Sequence, residues 1–226
     1  MTGLDASAST VAPVRLLSRP GAAASAELPL PSPARLLRVF TGAIAIGSTA
    51  AVVGAYYITL AARFPPGTLA QFFLVLGGLV ALSIVGVYAV HLRLSAALVA
   101  WLRRPGDGVV LAAWRQAINY PAHLSLTVGL SALAVSLLAA GITALTTGDL
   151  ALGLHIAVGG TLAAILDAIF AWLYTDWATR SLRRAMAVRD PMLPVSGAGI
   201  ISLGLAAKMA IVIVGVSLVG SVVAGT

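Results

Sequence analysis

Few residues of this chain could do chemistry. Its 226 residues include seven Asp and Glu, fourteen Lys and Arg, three His and no Cys. Asp167 and Lys208 stand out because each interrupts a long uncharged stretch. A carboxylate inside an apolar helix costs about 2.5 to 3.5 kcal/mol on insertion scales and turns toward protein or water. Asp167 precedes Tyr174 by seven residues, roughly 10 Å of helix rise. Lys208 lies at a similar depth if its helix starts near Gly199, so an Asp167 to Lys208 pair bridging two helices is expected. It would act as a staple between helices or as part of a proton or ion pathway. Alternatively, the lysine snorkels separately on its long stem.

The other reactive groups point away from catalysis. Without cysteine there is no disulfide, iron–sulfur cluster, thiolate zinc site or thiol nucleophile. His91 and His123 flank one connection and could approach each other, whereas His155 stands alone, so neither a metal nor a haem site is expected. Glu27 is the sole glutamate. No phosphate-cradling glycine loop, HExxH or GxSxG occurs, and the sequence predicts a chain without catalytic residues or a cofactor.

The elements that carry these residues follow from composition. The chain is 60% hydrophobic and only 9% charged, with a mean hydropathy of +1.02. Soluble domains carry about 25% charged residues, so this composition marks a membrane protein. Residues 1–34, rich in Ala, Ser and Pro, read as a disordered arm. Residues 35–226 read as an all-α domain of about five transmembrane helices arranged as antiparallel hairpins. The spans are placed at about 39–62, 69–90, 122–147, 150–174 and 200–226, each long enough for the roughly 20 residues a bilayer needs. Two amphipathic extensions, about 92–104 and 177–189, prolong the second and fourth spans. The third span is expected to start after Pro121, with Trp114 and Tyr120 lying along the bilayer surface.

Thirteen of the fourteen Lys and Arg fall on one side of this layout, and only Arg63 falls on the other. That bias places the N-terminus in the cytoplasm and makes the bilayer, rather than nucleic acid, the partner of the basic residues. Aromatic residues gather near the span ends as an interfacial belt. Small residues recur every fourth position in the first span, at Ala43, Gly47, Ala51 and Ala55. Gly159 with Ala163, Gly160 with Ala164 and Gly220 with Ala224 repeat the spacing. Such faces let helix backbones approach closely, within the chain or in a homodimer or other membrane subunit.

Tyr88, Arg103 and Pro105 recur 86 residues later as Tyr174, Arg189 and Pro191. The repeat describes a hairpin unit with a basic, Pro-marked lead-in and a returning span that extends beyond the bilayer. By that logic the fifth span opens a third hairpin whose returning helix is absent. The lead-ins, and the stretch from Ile200 through Lys208 to Ala210, resemble the N-terminal membrane region of bacterial class III adenylate cyclases with a HAMP linker and of related sensor histidine kinases. The likeness covers Leu36 to Thr226 in layout. No sixth span, HAMP segment, cyclase motif or kinase motif is present, so no catalytic residue carries over. The resemblance implies a sensor or anchor module of a signal-transduction protein in the bacterial inner membrane. An accessory subunit of a membrane complex and a transporter or channel component are the alternatives.

Overall fold

Uninterrupted apolar sequence closes its backbone hydrogen bonds internally, and helices result. The computed structural model describes residues 32–105 and 107–194, together with Ala210, residues 213–215 and Ser217. The regular elements among the described residues 32–194 are five helices: α1 (Pro33–Ala61), α2 (Thr68–Leu94), α3 (Ala96–Arg103), α4 (Asp107–Thr147) and α5 (Leu150–Arg189). The described residues contain no strand. α2, α4 and α5 are long and apolar enough to cross a membrane. The first expected span falls on α1, which ends one residue short of it at Ala61. Most of the expected arm and most of the fifth span, with Lys208 and Gly220, lie outside the described residues.

Turn chemistry sets the connections. Gly67, at φ 82°, adopts the left-handed conformation that ends the α1 to α2 connection. Gly148, at φ 69°, does the same between α4 and α5. There Asp149 caps the next helix, its Oδ1 accepting from the Leu152 amide at 3.0 Å.

The packing departs from simple hairpins. α4 and α5 lie along each other as one, but α1 packs on α5 and α2 on α4, so α1 and α2 barely touch. Glycines explain the α1 to α5 contact: Gly42 faces the Tyr174 ring, Gly47 faces Asp167, and Gly54 meets Ala163 and the Gly159 carbonyl. Gly160 and Gly153 of α5 instead approach Ser136 and Ala144 of α4. Three hydroxyl bonds tie neighbouring helices: Ser83 with Ser131 at 2.6 Å, Ser125 to the Ala168 carbonyl at 2.6 Å, and Tyr120 with His91.

Three expectations need correction. Pro121 does not precede the third membrane helix but sits inside the 41-residue α4, fully buried. A proline removes one backbone donor, and a helix braced by neighbours on its buried face accommodates that loss. Trp114 and Tyr120 do not lie along a surface: they are only 6% and 2% exposed. Trp114 joins Leu98, Trp101, Ala117, Leu182 and Met186 in a cluster that packs α3 against α4 and α5. Finally, the extension at 92–104 is broken at Ser95, whose hydroxyl donates to the His91 carbonyl at 2.8 Å. α3 then restarts with its Ala97 and Leu98 amides donating to Gln116 Oε1 at 2.9 and 3.2 Å. A side chain from α4 thus supplies the cap that α3 lacks locally.

A candidate intramembrane site

The clusters fix which helix ends lie together. At one end Val39, Val87, Tyr120 and Leu124 join α1, α2 and α4, with Tyr174 of α5 packed against them. The arginines at the ends of α1, α2, α3 and α5 and at the start of α4 gather there, while Arg63 lies at the opposite end. At that opposite end Tyr57, Ile58, Phe72, Ala139, Leu152 and Ile156 close the bundle.

Between these two plugs runs a crevice of about 240 Å³. Its walls come from all four long helices because α1 and α2 are held apart by the helices they pack on. Along α1 it extends from Ala43 to Ile58, roughly 22 Å of helix rise, much of the roughly 30 Å thickness of a hydrocarbon core. Ala51, Val80 and Ile84 line it and are themselves exposed, so it opens sideways between α1 and α2. The expected small face of α1 divides its work: Ala43, Gly47, Ala51 and Ala55 line the crevice, while Gly42, Gly47 and Gly54 take the close approach to α5.

Among the described residues, polar groups in the crevice are few. Ser83 and Ser136 line it, but Ser83 is engaged by Ser131 and Ser136 donates to the Ala132 carbonyl at 2.8 Å. Asp167 is different: its Oδ1 is buried with no hydrogen-bond partner among the described residues. A Cβ built on Gly47 would come within 2.5 Å of that oxygen, so glycine at position 47 is what lets α1 pass over the carboxyl. Burial of an unpartnered polar atom costs free energy that a ligand donor would recover.

Lys208 lies outside the described residues. Gly215, which is described, faces Ile165 and Ile169. Both are two residues from Asp167 and therefore roughly 160° around α5 from it. Gly215 thus lies on the face of α5 turned away from the crevice.

His91 is buried and hydrogen-bonded through Nδ1 to the Tyr120 hydroxyl, whereas His123 is exposed. The described residues hold no group of three or more His, Cys, Asp or Glu able to bind a metal. The His91 to Tyr120 bond and the crevice itself were not read from the sequence. Leu98, Trp101, Leu182 and Met186 carried a helical period that signalled buried faces, though not their partners. No known protein family, curated protein or solved structure matches this chain.

Proposed function

We propose that this chain is an integral membrane sensor module with five spans and a cytoplasmic N-terminus. The layout resemblance adds a bacterial inner membrane and a signalling role. The crevice takes up an elongated apolar molecule from the bilayer through the gap between α1 and α2, and a donor group on that molecule meets Asp167. Occupancy is passed to the arginine-rich end along α4 and α5. These helices have 41 and 40 residues, about 60 Å each, and outreach the hydrocarbon by a factor of about two. The observation that carries this reading is the buried, unpartnered Asp167 Oδ1 at a crevice open to lipid.

A long-chain alkylamine carrying a photoreactive diazirine tests it in vesicles containing the full chain. Crosslinks should map to Ile58, Leu76 and Val80, and Ala51→Phe should abolish them by filling the crevice. Labels spread evenly over the exposed face of α2 would overturn ligand binding. Spin labels at Val99→Cys and Ser181→Cys should then report a distance change on adding the amine. Binding without that change would leave a ligand site and remove the sensor role.

One observation favours a second reading, an accessory subunit of a larger complex. Only 6% of the most apolar window of α2 is buried within the chain, against 50% for α5. A partner subunit would cover that face, and the even labelling of α2 would then be lost on assembly.

A further inference from the structure

A second cavity, of about 780 Å³, lies at the arginine-rich end between the start of α1 and the end of α5. Arg35 and Arg38 line it from one helix, Arg180 and Arg184 from the other. In sequence the two pairs are more than 140 residues apart, so their convergence is a product of the α1 to α5 packing. Gly42 stands against the ring of Tyr174, itself a lining residue of the cavity.

Among the described residues the charge in this cavity is not neutralised. Asp176 takes Arg183 at 2.7 Å and reaches only Arg180 among the lining arginines, at 3.6 Å. Arg35, Arg38 and Arg184 make no ion pair among the described residues. Guanidinium groups recognise phosphate oxygens with paired, charge-assisted hydrogen bonds, and several converging on one cavity match more than one phosphate. Tyr174 and Trp177 share the wall, and Trp177 is 65% exposed. Such rings settle at headgroup depth, with an apolar body toward the acyl chains and a polar edge toward water.

We propose that Arg35, Arg38, Arg180 and Arg184 form a receptor for the phosphate headgroup of an anionic lipid, in the leaflet at the arginine-rich end. The site prefers a lipid with two phosphates, and the lipid clamps α1 to α5. This site is separate from the crevice and does not depend on the crevice holding a ligand. The phosphate is presented by a lipid rather than free in solution, because the aromatic wall continues into the apolar surface of the bundle.

The experiment uses the purified full chain in detergent, with native mass spectrometry counting bound lipids. Diphosphatidylglycerol, phosphatidylcholine and inorganic pyrophosphate are the probes. One diphosphatidylglycerol per chain should be retained under conditions that strip phosphatidylcholine. The double variant Arg38→Gln with Arg184→Gln should weaken retention about thirtyfold, taking about 1 kcal/mol per arginine near a membrane surface. Arg103→Gln with Arg104→Gln removes the same charge outside the cavity and should change retention less than about twofold. Equal losses in the two doubles would mean diffuse attraction and overturn the site. Displacement of the lipid by pyrophosphate at equal concentration would overturn the lipid as its source. The single variants guard against misfolding: each should lose about fivefold, and full retention in both would overturn the proposal.

Discussion

The Tyr120 hydroxyl and the Nδ1 of His91 are hydrogen-bonded to each other across 29 residues of sequence, joining the end of α2 to α4 where both are buried. α2 otherwise packs along α4 with the Ser83 to Ser131 bond further along. The histidine is therefore a tie between helices at the point where α2 gives way to α3.

Tyr120→Phe deletes this bond while keeping the ring. Losing one hydrogen bond between buried groups costs about 0.5 to 1.5 kcal/mol. The thermal unfolding midpoint in detergent should fall accordingly. A double variant with His91→Leu should lose less than the sum of the two single losses, because no orphaned group remains. Additive losses would mean that the two side chains act separately.

Gly54 permits a close backbone approach of α1 to α5. A Cβ there would stand 2.7 Å from the Ala163 Cβ and 3.0 Å from the Gly159 carbonyl oxygen, neither of which can swing away. Gly54→Leu should destabilise by about 1 to 3 kcal/mol through overpacking. Gly77→Leu faces open space and should cost far less. Comparison of the two midpoints checks the contact, and equal effects would refute it.

Asp167 costs stability by holding a buried oxygen without a partner. Asp167→Leu should therefore leave the unliganded protein equally stable or raise its unfolding midpoint, while ending capture of the photoreactive amine. A large destabilisation would mean that the carboxyl is a structural tie.

The absence of cysteine makes topology directly measurable. Gly108→Cys stands at the start of α4 and Leu150→Cys, at an exposed position, just past its far end, and no other thiol of the chain competes for a maleimide. In intact cells an impermeant maleimide should label position 150 and spare position 108. The reverse result would invert the orientation.

Helix positions were largely legible because they depend on runs of apolar residues, which are local. Residues Leu69 to Val90 and Leu150 to Tyr174 fall inside α2 and α5. Legibility ended where the outcome depended on distant partners. Pro121 read as a boundary because a proline usually stops an isolated helix, yet here neighbouring helices cover the weakened turn. Ser95 carries no signal by type, and the break there depends on Gln116 waiting on α4. Asp167 was conspicuous as a charge among apolar residues, but its neighbour Gly47 lies 120 positions away. The crevice was invisible because it exists only because α1 and α2, adjacent in sequence, choose different partners.

Gly148 and Asp149 are all that separates α4 from α5, and the two rods differ by a single residue in length. So short a hinge leaves no slack for one rod to slide along the other. The remaining freedom is angular, like the legs of a drafting compass. Over about 60 Å, a swing of about 5° at the hinge moves the far tips by about 5 Å. Those tips carry Trp114 and Met186, so any such swing is spent in pulling apart the packing that α3 completes.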